Sequence, residues 1–141
     1  RQLQICIRYI TSSSKALIKK LVEPLPTHRP LVIVELGPGD GCVTHAILKK
    51  VHSGSSVTAF EINTVFVEKL SVIQDSRLRV LSVGAERLTD YFEAGTVDYV
   101  VSSLPLSMIP HELKEAILKQ SQMVPASYTH LPLPPHTARE P

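Results

Sequence analysis

The sequence predicts an α/β protein, an open parallel sheet sandwiched by helices. Short β-rich runs alternate with stretches of helical period along most of the chain. The connections between those runs are long enough to hold a helix, as parallel strands require and hairpins do not. The first run, Leu31-Val32-Ile33-Val34-Glu35-Leu36, is apolar without alternation apart from one acid, the pattern of a strand buried on both faces. With 141 residues, 43% of them hydrophobic and 20% charged, the chain has the size and composition of one folded domain or part of one.

Each element follows from local signals. Ser12-Ser13-Ser14 precedes a helix over Lys15 to Val22, with Leu17, Ile18, Leu21 and Val22 on one face and Lys15, Lys19 and Lys20 opposite. Those lysines either face solvent or touch an anionic membrane surface. Pro24, Pro26 and Pro30 stiffen the entry to the first strand. After it, Gly37-Pro38-Gly39-Asp40-Gly41 forces a turn, and Cys42 to Val51 reads as a helix burying Val43, Ala46, Ile47 and Val51. A second strand runs from Val57 to Glu61. Asn63 or Thr64 then caps a helix that turns Phe66, Leu70 and Ile73 inward. Leu78 to Val83 and Val97 to Val101 are the third and fourth strands, and Pro110 suits the first turn of a helix reaching about Gln120.

The organisation expected is an N-terminal helical segment with a proline-rich linker over 1–30, an α/β core over 31–122 and a tail over 123–141. Four strands make a thin sheet, so the core is expected to be incomplete at its C-terminal side. From Pro125 to Pro141 the tail holds five of the eleven prolines and has no period of 2 or 3.6. It is either a disordered linker or not native to the gene, because Ser127-Tyr128-Thr129-His130-Leu131 resembles translated adapter DNA. Arg1 is not an initiating methionine, so an upstream segment is allowed for.

Several function classes are disfavoured. No apolar run approaches the ~20 residues that span a bilayer, and no signal-peptide pattern opens the chain. A net charge of +2 is too small to argue for nucleic acid. Two cysteines, Cys6 and Cys42, make neither a disulfide scaffold nor an all-cysteine zinc site and suit a reducing, cytoplasmic compartment. Cys42 is read as a plain small helix residue. His45 and His52 lack a third metal ligand at suitable spacing, so no metal is expected. His111 is read as a surface residue, with a proton-accepting role as the alternative.

The sharpest chemical signal is Glu35-Leu36-Gly37-Pro38-Gly39-Asp40-Gly41 between a strand and a helix. Glycines allow the tight turn and the close approach of a ligand, and the helix N-terminus behind them offers unpaired N–H groups. Glu61 ends the next strand 20 residues after Gly41, where a ribose-binding carboxylate sits in nucleotide-binding α/β folds. Cys42-Val43 after the last glycine is not the Lys-Ser/Thr of a P-loop. The third glycine comes one residue early for a dinucleotide fingerprint, and Glu35 would sit badly beside a pyrophosphate. It suits an ammonium or sulfonium, and S-adenosylmethionine carries both, with a ribose, an adenine and no phosphate.

Together with Phe60-Glu61-Ile62-Asn63 and Val100-Val101-Ser102-Ser103-Leu104-Pro105-Leu106, in that order, this loop resembles the class I S-adenosylmethionine-dependent methyltransferases, whose fold is Rossmann-like. Within them the chain is most similar to bacterial phospholipid N-methyltransferases acting on phosphatidylethanolamine, and more distantly to ribosomal RNA adenine dimethylases. The resemblance covers roughly residues 9 to 120, including the serine-rich Thr11-Ser12-Ser13-Ser14-Lys15-Ala16-Leu17. Ser-x-Leu-Pro after the fourth strand points to the lipid branch.

What the resemblance implies is a transferase using S-adenosylmethionine, with a phospholipid substrate, at the inner membrane face. Glu35, Gly37, Pro38, Gly39, Asp40 and Gly41 would line the methionine end of the cofactor. Glu61 would bind the ribose, Ile62 and Asn63 would lie at the adenine, and Ala85 and Glu86 at its edge. Ser102, Ser103, Leu104 and Pro105 would face the transferable methyl as the catalytic loop. Two positions depart from the family pattern. Gly84 replaces an acid, leaving the adenine amino contact to Glu86 or unfilled, and Ser103 replaces a glycine. The general base is left unassigned, water included. The other readings are an RNA adenine N6-dimethyltransferase, disfavoured because Leu106 is not a stacking aromatic, and an inactive nucleotide-binding relic.

Overall fold

The apolar run at residues 31–36 forms the centre of the sheet, as its composition requires. The computed structural model describes residues 12–93, 95–103, 111, 112, 115 and 125–130. Helix α1 (Ser12–Val22) leads into strand β1 (Val32–Leu36), helix α2 (Cys42–Lys50), strand β2 (Ser56–Phe60), helix α3 (Thr64–Ser71) and strand β3 (Leu78–Leu81). A 3-10 helix, Ala85–Asp90, follows, then strands β4 (Val97–Ser102) and β5 (Pro125–His130). The strand order is β3-β2-β1-β4-β5, and every pairing is parallel.

All strands therefore end on the same edge. Leu36 lies opposite Phe60 of β2 and Ser102 of β4, and Phe60 lies opposite Leu81 of β3. The winding order reverses at β1, since β2 and β3 lie to one side and β4 and β5 to the other. In such sheets a crevice opens outside the carboxyl ends of the strands at that switch point, and ligands bind there.

The sheet buries apolar side chains on both faces. On one, Ile33, Val57 and Val101 meet Val43, Ile47 and Leu48 of α2 and Leu21 and Val22 of α1. On the other, Val34, Leu36, Phe60, Val97 and Val100 meet Ala85 and Leu88 of the 3-10 helix. Cations close the helix ends. Lys50 Nζ donates to the carbonyls of Val22 and Glu23 at 2.8 and 2.9 Å, satisfying orphan acceptors at the end of α1. Arg77 donates to the carbonyls of Leu48 and Val51 at the end of α2 while paired with Asp75 at 2.7 Å. Asn63 caps α3 as its sequence position suggests, accepting from the N–H groups of Val65 and Phe66.

Two expectations are corrected. The sheet has five strands rather than four, because Pro125–His130 pairs with β4. Residues 125–130 are thus in the sheet and not in an irregular tail. A proline at the first position of a strand is tolerated because it removes no interior ladder bond. Cys42, read as a plain residue, is disulfide-bonded. The helix expected from Pro110 lies outside the described residues except for His111, Glu112 and Glu115, which are helical.

Gly41 should be the least replaceable residue of the turn. Its φ is +94°, and a Cβ there would stand 3.1 Å from Leu70 Cδ2 of α3. Gly41→Ala is expected to cost about 1–3 kcal/mol in urea denaturation, and Gly39→Ala, with φ +59° and nothing within 4 Å of its Cβ position, about 1 kcal/mol.

Candidate functional site

The glycine turn hangs over the ends of β1 and β2. Gly37, Gly39 and Gly41 all have positive φ (64°, 59° and 94°), which lets the backbone reverse within five residues and start α2 directly. Glu61, just beyond β2, holds this turn in place. Its Oε1 accepts from the Gly39 N–H at 2.9 Å and its Oε2 from the Asn63 N–H at 3.0 Å. Each carboxylate oxygen keeps a further lone pair, so the group that clamps the loop can also receive hydroxyls.

Beneath the turn lies Glu35, fully buried at the penultimate position of β1. Thr44 in the first turn of α2 donates its hydroxyl to Glu35 Oε1 at 2.5 Å. Oε2 of Glu35 has no hydrogen-bond partner among the described residues. Burial pushes the Glu35 carboxyl up to about 8, the Thr44 hydrogen bond opposes that shift, and the Glu61 charge adds to it. The site therefore holds a buried acid that lacks a cation, beside a second acid.

At the end of β4 the Ser103 N–H donates to the Leu36 carbonyl at 3.0 Å, fixing the strand exit against β1. The Ser103 hydroxyl is buried and, like Glu35 Oε2, without a partner among the described residues. Ser102 is buried beside it. At the end of β3, Ala85 is buried and Glu86 half-buried, while Ile62 after β2 is 71% exposed.

The residues singled out in the sequence thus gather along one edge. Glu35, Gly37, Pro38, Gly39, Asp40 and Gly41 lie at or just past the end of β1, Glu61, Ile62 and Asn63 past β2, Ala85 and Glu86 past β3, and Ser102 and Ser103 at the end of β4. Leu104 and Pro105 lie outside the described residues. Sequence reasoning missed Thr44. Its only signal was a hydroxyl in the first turn of the helix that follows an acid-bearing strand. The 3-10 helix was also missed, since six residues carry too little period to read.

These features fit S-adenosylmethionine on this structure's own terms. An orphaned buried carboxylate oxygen can take an ammonium, the open space over Gly39 admits a ligand against the backbone, and Glu61 can take a diol.

No family model matches the chain. It is 29% identical over 123 residues to an ornithine lipid N-methyltransferase from Singulisphaera acidiphila, covering 84% of this chain and 64% of that protein. Among solved structures, a putative methyltransferase from an antibiotic biosynthesis pathway of Anabaena variabilis superposes with a TM-score of 0.61 at 21% identity, over 79% of this chain and 41% of that one. A mycolic acid cyclopropane synthase, solved with S-adenosylhomocysteine, superposes with a TM-score of 0.63 at 19% identity, over 83% and 41%. The chain spans less than two thirds of the length of each. At these identities the likeness establishes architecture: the chain has the Rossmann-like fold of the class I methyltransferases.

The buried acid gives a sign-definite stability profile. The folded-state pKa of Glu35 is about 8 against 4.5 unexposed to the fold, so the native state holds the proton more tightly. Its contribution is fully present below pH 4.5 and is lost as the pH rises through 8. Glu35→Gln keeps an acceptor for Thr44 and cannot ionise. Urea denaturation at pH 5 and pH 8 should show the parent losing several kcal/mol relative to the variant across that interval.

Proposed function

We propose that the chain is the cofactor-binding part of an S-adenosylmethionine-dependent N-methyltransferase that acts on the headgroup amine of a membrane lipid such as phosphatidylethanolamine. The observation that carries the cofactor is the unpaired, fully buried Oε2 of Glu35 beneath a glycine turn clamped by Glu61. The lipid acceptor is supported by the relative named as an ornithine lipid N-methyltransferase, and by the Ser-x-Leu-Pro run after β4.

In this reading Glu35 receives the ammonium of the amino-acid arm, and Gly37, Gly39 and Gly41 let that arm lie against the turn. Asp40 and Pro38 shape the rim of the turn. Glu61 receives the ribose hydroxyls, while Ile62, Asn63 and Ala85 border the base. S-adenosylmethionine bound there supplies an electrophilic methyl that needs little further activation. The chain's main task is then alignment. The hydroxyl of Ser103 and the backbone around Ser102 hold the acceptor nitrogen behind the methyl. Orientation of this kind lowers a barrier by roughly 7–11 kcal/mol. No general base is assigned, and water suffices to take the ammonium proton before transfer. Among the described residues no helix is long and apolar enough to cross a membrane.

Calorimetry with S-adenosylhomocysteine should give a saturable isotherm, and Glu61→Ala should weaken it about 10- to 100-fold by removing charge-assisted hydrogen bonds. Radiolabelled methyl from S-adenosylmethionine should enter vesicles containing phosphatidylethanolamine and not vesicles of phosphatidylcholine alone. Absence of binding heat would overturn the cofactor assignment. Transfer to RNA with none to lipid would overturn the acceptor.

A further inference from the structure

Two buried oxygens near the edge have no hydrogen-bond partner among the described residues, Oε2 of Glu35 and Oγ of Ser103. The first suits an ammonium. The second calls for a partner of its own, because an unpaired buried hydroxyl is costly. Side chains alternate between the two faces of a strand. Val101 packs with Ile33 and with Val43, Ile47 and Leu48 of α2, whereas Val100 packs on the opposite face. Ser103, two residues after Val101, therefore continues the face that α2 covers, and its N–H to the Leu36 carbonyl at 3.0 Å extends the β4 ladder to it. Glu35 is on the same face, since it accepts from Thr44 of α2, and it lies opposite Val101. Ser103 is thus one strand over and two residues nearer the edge, a Cα separation of about 8 Å. A ligand that gives its ammonium to Glu35 and its ribose to Glu61 carries its sulfur between the two. Ser103, on β4, lies on the other side of β1 from Glu61, where an acceptor can approach.

A hydroxyl accepts an N–H or donates to a lone pair. A primary amine offers Ser103 an N–H and keeps its lone pair free to attack. In each round of transfer the nitrogen lone pair forms the N–C bond, the C–S bond breaks with its electrons staying on sulfur, and the nitrogen gives a proton to water. After one methyl has been added, one N–H remains and the same arrangement holds. After two, the neutral nitrogen has no N–H. Only O–H···N is left to it, which ties up the lone pair that must attack, with the methyls already present crowding the buried hydroxyl.

We infer that Ser103 sets the number of methyl groups transferred, so that the chain converts a primary headgroup amine to the dimethyl amine and stops there. This rests on the proposed methyltransferase reading of the site and adds product specificity to it. Ser103 stands where the lipid enzymes that the chain resembles carry glycine, which has no hydroxyl to impose such a limit.

The test supplies the full chain with S-adenosylmethionine and vesicles of phosphatidylethanolamine or of its monomethyl or dimethyl derivative, and follows the products by mass spectrometry. The first two transfers should proceed within a few-fold of each other and the third about 10- to 100-fold more slowly, the range for one misdirected hydrogen bond at a buried group. Ser103→Gly and Ser103→Ala should bring the third transfer to within a few-fold of the first. Ser103→Thr, which keeps the hydroxyl, should retain the limit of the parent. A merely structural role would slow all three transfers together and leave their ratio unchanged. Binding gives a second readout, by calorimetry with short-chain lipids and S-adenosylhomocysteine. The dimethyl lipid, whose protonated nitrogen still has one N–H, should bind about 10-fold more tightly than phosphatidylcholine, which has none, and Ser103→Ala should remove that difference. A parent that makes phosphatidylcholine as fast as the dimethyl lipid, or ratios unchanged in both Ser103→Gly and Ser103→Ala, would overturn the inference. Transfer to none of the lipid amines by the parent or any variant would overturn the underlying acceptor reading instead, and the assignment of Ser103 with it.

Discussion

A carboxyl group sealed inside the sheet is the constraint around which this protein is arranged. Glu35 sits in a run of apolar residues where a leucine or valine would pack without penalty, and it keeps one oxygen unpaired. Burying an acid this way costs free energy whether it is kept neutral or charged, and a protein built for stability alone would avoid it. The compensation present is partial. Thr44 satisfies one oxygen, and the proton is retained to an unusually high pH. A cationic ligand group would supply the rest.

The remainder of the edge follows from that position. For a ligand to reach Glu35, the backbone above it must be thin, and the glycines at 37, 39 and 41 make it so. A thin turn is a floppy one unless held, and Glu61 holds it through the Gly39 N–H while staying able to accept from a ligand. The parallel sheet matters because it delivers all five strand ends to one side. A parallel order with β1 central and its neighbours wound outward in opposite directions puts the switch point, where ligands bind in such sheets, at the end of the strand that carries Glu35. Stability and function thus compete at a single strand: β1 contributes the middle of both apolar cores and also the least comfortable side chain in the molecule.

Much of this was legible in the sequence because it rests on pattern. An unbroken apolar run marks a doubly covered strand, three glycines within five residues mark a turn with positive φ, and an acid at the end of the next strand falls beside that turn once the strands are parallel. Partnerships that depend on rotation about a helix axis were not legible. Nothing in the spacing of Glu35 and Thr44 tells which way the first turn of α2 points its hydroxyl. The fifth strand was hidden for another reason. Pro125-Ala126-Ser127-Tyr128-Thr129-His130 has weak strand composition, and it pairs because β4 offers it an edge.

The central claim is that Glu35 waits for a cation. Carbon-13 NMR of the side-chain carboxyl carbons, assigned by comparison with Glu35→Gln, reports its ionisation directly. At pH 7 without ligand, the Glu35 resonance should be that of a protonated acid titrating near pH 8, and saturating S-adenosylhomocysteine should move it to the ionised position. A Glu35 carboxyl that is already ionised at pH 7, or one whose resonance is unmoved by saturating ligand, would contradict the account.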